Sequence, residues 1–107
     1  MLAQPLIYFS DITQQAVNVL EEANDFDLHA THEVMYRLVI GIMLTENGVP
    51  AHILERLKNI ASLVTRFDPV GDEDAVMVSL KQLSSEELLL LTKEIRALNT
   101  HIAFLID

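Results

Sequence analysis

Residues 84–105 of the chain, SSEELLLLTKEIRALNTHIAFL, decide the fold. Six apolar residues in this stretch are separated alternately by three and four positions: Leu88, Leu91, Ile95, Leu98, Ile102 and Leu105. We call them the heptad residues, because this spacing puts them on one side of a helix that packs lengthwise against another helix. Ser84 and Glu87 stand in the Ser-x-x-Glu order of a capping box, which predicts that this helix begins at Ser84.

Upstream of this helix, apolar residues at helical spacing predict four more helices. The first begins near Asp11-x-x-Gln14, which resembles a second capping box. Residues 1–10 before it could form an N-terminal arm, or their apolar run 6–9 could pack back as a staple. The second ends at Gly48, the third opens at Pro50, and a short fourth follows an acidic run. Since no long linker interrupts the pattern, we expect one all-α domain over residues 1–107, a bundle of four to five helices.

The composition agrees with a small helical protein. Half of the 107 residues are apolar, which argues against disorder, and three Gly with three Pro supply few turns for an all-β fold. Cysteine is absent, which excludes disulfides and thiolate metal sites and fits a reducing cytoplasm. The N-terminus lacks the positive region of a signal peptide, and no apolar run approaches the roughly 20 residues of a membrane span. We therefore expect a cytoplasmic protein with no membrane contact.

The negative charge of the chain is unevenly distributed. The formal net charge is −9, and no Lys or Arg occurs before Arg37, whereas that opening stretch holds six Asp and Glu residues. An acidic surface repels the phosphates of nucleic acids, so we expect no direct nucleic-acid binding. The acidity favours either solubility alone or a basic protein partner. For the second case we predict a partner-binding acidic cluster, made of Glu21, Glu22, Asp25 and Asp27.

The second helix predicts a dimer, because it is apolar on nearly all sides. Ile40 and Leu44 lie off its main apolar stripe, and such a helix needs cover in more than one direction. The heptad residues could pack on helices of their own chain or on a second copy, and the sequence leaves both alternatives open. We expect a homodimer whose interface contains Ile40, Leu44 and the heptad residues Leu88, Leu91, Ile95, Leu98, Ile102 and Leu105.

One motif has the spacing of a metal site. On a helix, His29, His32 and Glu33 share a face and could converge on Zn²⁺. The motif differs from the His-Glu-x-x-His pattern of metalloproteases and lacks a further ligand for a catalytic centre. A solvated helix start is therefore the favoured interpretation. These three residues remain the candidates for a metal site, and we predict no resident metal or cofactor.

The acidic cluster offers a second possible metal site. Glu21, Glu22 and Asp25 could hold Mg²⁺, provided that a facing helix supplied further carboxylates. The chain has no glycine-rich phosphate loop, no Gly-x-Ser-x-Gly motif and no cysteine nucleophile. The sequence therefore predicts no catalytic residue.

The layout of residues Leu28 to Leu80 resembles the AriR/YmgB/YcgZ group of small biofilm and acid-resistance regulators. The shared features are Leu28-His29, Glu33, the apolar run 38–44, the turn at Asn47 and the stripe Ile53-Leu54-Leu57. The chain departs from that group in Pro50, in a longer N-terminal part and in its fifth helix. The resemblance implies a helical homodimer that modulates two-component signalling by binding another protein, without catalytic residues.

These observations predict a small acidic regulatory or adaptor protein that acts by protein–protein binding in bacterial signalling or transcription control. One alternative is an acidic DNA mimic, such as an anti-defence inhibitor from a phage or mobile element, whose carboxylates would be spaced like phosphates. Another is a metal-dependent helical hydrolase that uses one of the two clusters described above.

Overall fold

The computed structural model of the chain describes residues 3–21, 27–45 and 48–106, with side chains from Leu6 onward. This part of the chain contains five helices and no strand, with a single bridge between Val70 and Glu73. The helices are α1 (Ala3–Glu21), α2 (Leu28–Leu44), α3 (Ala51–Val64), α4 (Ala75–Gln82) and α5 (Ser85–Ile106). The predicted all-α class is therefore confirmed. None of these helices has the length and apolar character needed to cross a membrane.

The start of α5 has the capping box that the sequence predicts. The Ser84 N–H donates to Glu87 Oε1 at 3.0 Å, and the Glu87 N–H donates to Ser84 Oγ at 3.1 Å. Asp74 caps α4 in a similar way, because its Oδ1 accepts from the Met77 N–H at 2.9 Å. Local side-chain hydrogen bonds therefore satisfy backbone donors at both helix starts.

The start of α1 differs from the prediction. Residues 3–10 are helical, so a separate N-terminal arm was the wrong interpretation of these residues, and Asp11 lies inside the helix. The physical reason is that Leu6 and Phe9 continue the buried stripe of α1 toward its N-terminus. Pro5 stands in the first turn, where the missing N–H has no helical partner to lose.

The early turns of α1 pack against α5. Asn99 on α5 donates through Nδ2 to the Ser10 carbonyl at 3.1 Å and to Thr13 Oγ1 at 2.9 Å. The Thr13 side chain is fully buried, and its hydroxyl donates to the Phe9 carbonyl at 2.7 Å. These polar contacts fix how the two helices align, because a shift along the axis would leave buried groups without partners.

Four of the heptad residues lie in the core of the single chain. Leu91, Ile95, Leu98 and Ile102 are at most 1% exposed and pack in one cluster with side chains of the other helices. The structure therefore places them inside the chain and not on a surface that a second subunit could contact. The helices that pack against α5 are α1 and α3. The first two turns of α1 belong to the segment that was predicted to be an arm.

A glycine allows α1 and α2 to approach closely. A Cβ atom on Gly41 would lie 2.5 Å from Cε2 of Tyr8 and 3.3 Å from Cε1 of Phe9. The Tyr8 hydroxyl donates to the Arg37 carbonyl at 3.1 Å across the same contact. The first turns of α1 thus lie against the last turns of α2.

Candidate functional site

The helices of the bundle give it two chemically different ends. At one end α3 begins where α5 finishes, because the rings of His52 and His101 lie 5.2 Å apart. At the other end α3 finishes where α5 begins, and Arg66 Nη1 lies 2.8 Å from Glu87 Oε2. Leu6 near the start of α1, the turn residues 48–50 between α2 and α3, and Leu105 near the end of α5 line one groove, which adds the start of α1 and the end of α2 to the first of these ends.

The first end exposes large apolar side chains, and we call it the apolar end. Its most exposed members are Met43 at 71%, Leu44 at 78% and Phe104 at 80%. The apolar end is defined by Ile7, Tyr8, Met43, Leu44, Phe104 and Leu105, all of them exposed. Soluble monomers rarely group exposed apolar side chains in this way, so such a patch indicates an interaction surface.

A groove of about 490 Å³ opens at the apolar end. Leu6 from α1, Leu105 from α5 and the turn residues Gly48, Val49 and Pro50 line it. Gly48 has a φ of 102°, a left-handed backbone conformation that glycine adopts at little cost, and this conformation brings the turn across the end of the bundle. The groove and the neighbouring exposed side chains together offer both a concave and a convex apolar surface.

The opposite end is rich in carboxylates, and we call it the acidic end. It is defined by Asp27, Asp72, Glu73, Asp74, Glu86 and Glu87. Three of these side chains contact a cation or an imidazole: Glu73 with Lys81, Glu87 with Arg66, and Asp74 with His32. The bundle is therefore electrostatically polarised along its length.

The predicted partner-binding cluster is described only in part. Glu21 is exposed and forms an ion pair with Arg96, and Asp27 caps α2 by accepting from the Ala30 N–H at 3.0 Å. Both residues thus have structural contacts of their own. Glu22 and Asp25, the other two members, lie outside the described residues.

The three candidates for a metal site do not converge. His32 Nε2 lies 2.8 Å from Asp74 Oδ2, while Glu33 Oε1 lies 2.6 Å from Arg37 Nη2. His29 is exposed on α2. Within residues 3–21, 27–45 and 48–106, no three His, Cys, Asp or Glu side chains are grouped closely enough to hold a metal ion.

The residues predicted for a dimer interface fall into three groups. Leu44 and Leu105 lie exposed at the apolar end, Ile40 and Leu88 are half-buried, and the other four belong to the core. The sequence analysis missed Ile7, Tyr8, Met43 and Phe104. Phe104 offered a usable signal, since it is a large apolar residue that falls outside the heptad spacing of its helix.

Two carboxyl groups at the acidic end have lowered pKa values. Burial raises the pKa of Asp74, but hydrogen bonds with the Met77 N–H and with His32 outweigh that effect, so the pKa lies below its usual value. The hydrogen bond from the Arg66 guanidinium, with further help from the Ser84 N–H, lowers the pKa of Glu87 to about 2. Both carboxylates are therefore held in the ionised form by the fold.

We expect the stabilising effect of Glu87 to disappear as the pH falls from about 4.5 to about 2. The folded protein keeps this carboxylate ionised where the unfolded chain already binds a proton, so its contribution is complete above the unfolded pKa and is lost on acidification. Urea titrations should therefore give different free energies of unfolding for wild type and Glu87→Gln near neutral pH, and a vanishing difference at about pH 2. Glu86→Gln in the same turn is the control, since Arg66 bonds to Glu87. A difference between the free energies of unfolding of wild type and Glu87→Gln that does not depend on pH would contradict this prediction.

No family model, curated protein or solved structure matches the chain.

Proposed function

We propose that the chain is a small regulatory or adaptor protein that acts by binding proteins and works as a homodimer. The observation that carries this proposal is the apolar end. Burial of a fully exposed Leu, Met or Phe contributes about 1.5–3 kcal/mol, and three such side chains are more than two-thirds exposed there. A surface of this kind gains stability when another protein covers it.

A second copy of the chain is the occupant that best fits the apolar end. The chain carries a net charge of −9, so two copies repel each other through most of their surfaces. The described residues of the apolar end include no carboxylate, whereas the acidic end would point away from the contact. Contact through the apolar ends therefore keeps the acidic ends of the two copies apart.

The shape of the apolar end suits a two-fold symmetric contact. In such an interface every contact occurs twice. If a residue i of one copy contacts a residue j of the other, then residue j of the first copy also contacts residue i of the second. Phe104 is 80% exposed and precedes Leu105, which lines the groove, so we propose that the Phe104 side chain of each copy enters the groove of the other. A single two-fold axis would then fill both grooves and cover both phenylalanines.

The size of the end is close to that of a small stable interface. The bundle measures 39 × 29 × 18 Å, and a 22-residue helix such as α5 is about 33 Å long, so the longest dimension follows the helices. An end face of 29 × 18 Å covers about 520 Å² before side chains are added. Stable interfaces bury about 600–1,000 Å² on each partner, so the flat footprint of the end approaches the lower limit of that range.

The adaptor role follows from the other end of the molecule. An end-to-end dimer presents two acidic ends on opposite sides, and each could steer a basic protein into contact. Two such sites on one particle favour simultaneous engagement of a bivalent partner. The absence of cysteine and the resemblance to regulators of two-component signalling support a cytoplasmic role in bacterial signalling or transcription control.

The first experiment is sedimentation of the full chain over a range of concentrations. The chain has a mass of 12.0 kDa, and we expect a particle of twice that mass at high concentration. A particle that keeps the mass of one chain at every concentration would contradict the homodimer.

A second experiment tests the acidic steering. We expect the double variant Asp72→Lys with Glu86→Lys to bind a lysine-rich probe peptide at least tenfold more weakly than wild type at low salt, because it reverses charge at two exposed carboxylates of the acidic end. Glu55→Lys with Glu94→Lys is the matched control, since it changes the net charge equally at other sites. Equal losses in the two double variants would show that net charge alone attracts the peptide and would rule out a localised site.

A further inference from the structure

A cluster of two histidine side chains and one arginine side chain connects α3 to α5 beside the apolar end. His52 and Arg56 stand four positions apart on α3, so both reach the same side of that helix. Across from them, His101 on α5 lies with its ring centroid 5.2 Å from that of His52. Arg56 Nη1 is 3.2 Å from His101 Nδ1. We call these three residues the Arg56 cluster.

The hydrogen bond within the cluster fixes the roles of the two nitrogens of one ring. A guanidinium group has five N–H donors and no acceptor, so His101 Nδ1 must accept. The other ring nitrogen of His101, Nε2, is then the one that can donate. Arg56 has four further N–H groups, and His52 adds a second imidazole beside that of His101.

Arg56 differs from the other arginines in its described contacts. Arg37, Arg66 and Arg96 each contact a carboxylate, those of Glu33, Glu87 and Glu21 respectively. Among the residues that the structure describes, the half-buried Arg56 contacts the ring of His101 and no carboxylate. In a chain with 16 Asp and Glu against 7 Lys and Arg, this is an unusual position for a guanidinium group.

We propose that the Arg56 cluster binds an oxyanion of the carboxylate or phosphate class. The planar guanidinium suits two parallel hydrogen bonds to the oxygens of such a group, and the two imidazoles supply donors from either side. The cluster lies on α3 and α5 next to the apolar end, but it does not require the dimer. It therefore gives the protein a ligand site that is separate from the surface used for self-association.

The test is an NMR titration of the isotope-labelled full chain with sodium phosphate and, separately, with sodium acetate. Sodium chloride at equal ionic strength provides the baseline. We expect saturable shifts of the Arg56, His52 and His101 side-chain signals. Saturation by both anions identifies a site that accepts carboxylates, and saturation by phosphate alone identifies a phosphate site. Shifts no larger than those caused by chloride would overturn the proposal.

Substitutions of single residues test which side chains bind the anion. Arg56→Gln should weaken binding at least tenfold, because it removes the charge and the fork of donors. Arg37→Gln is the control, since Arg37 is exposed and paired with Glu33, and it should leave the affinity unchanged. If Arg56→Gln fails to fold, His52→Gln decides, because His52 is exposed and its loss should weaken binding severalfold. Undiminished binding in either folded variant, or an equal loss in the control, would overturn the proposal.

Discussion

The substitution Leu98→Ala should lower the free energy of unfolding by about 3 kcal/mol, within the usual range of 2–5 for a buried leucine. Leu98 is fully buried in the core of the single chain. Its truncation removes apolar contacts and leaves a cavity that the surrounding helices fill only in part. Urea denaturation of the two proteins at several protein concentrations measures the effect.

The control for Leu98→Ala is Leu89→Ala on the same helix. Leu89 is 58% exposed, so the same change in volume and helix propensity should alter the stability by about 0.5 kcal/mol or less. If Leu98→Ala left the stability of the isolated chain intact and weakened only its self-association, Leu98 would belong to an interface and the placement of α5 in the core would be wrong.

The substitution Phe104→Gln should convert the proposed dimer into a monomer without unfolding it. Phe104 is 80% exposed, so its replacement costs the isolated chain little. A central aromatic residue in an interface commonly contributes about 2 kcal/mol, and a two-fold symmetric dimer contains it twice. The dissociation constant should therefore rise by about a thousandfold, which sedimentation at a series of concentrations can measure.

Leu90→Gln is the matched control for Phe104→Gln. Leu90 lies on the same helix, is 55% exposed, and lines a different groove of about 340 Å³ between α3 and α5. We expect this variant to remain dimeric. Loss of the dimer in Leu90→Gln with retention in Phe104→Gln would move the interface to the α3–α5 groove and refute the end-to-end arrangement.

The interaction surface could be predicted from the sequence only in part. Leu44 was included in the predicted interface because it lies off the main apolar stripe of its helix, and Leu105 because it continues the heptad spacing. Both are exposed at the apolar end. Phe104 and Met43 come from distant parts of the chain, and only the packing of α2 and α5 on α1 and α3 brings their helix ends to the same end of the bundle. The acidic end has a similar origin, because its carboxylates come from the first turn of α5, from the N-cap positions of α2 and α4, and from the loop before α4.

Local sequence signals were enough to predict that the chain is helical and where α5 begins. Hydrogen bonds within one turn define the capping box of Ser84 and Glu87, and the apolar side of α5 follows from the spacing of its residues. Only the tertiary structure decided what covers that side. The apolar periodicity of a helix indicates which of its faces is buried, but it does not indicate which helix packs against that face. Here α1, which begins two turns earlier than its own sequence signals suggest, covers α5, while the ends of α2 and α5 are left exposed.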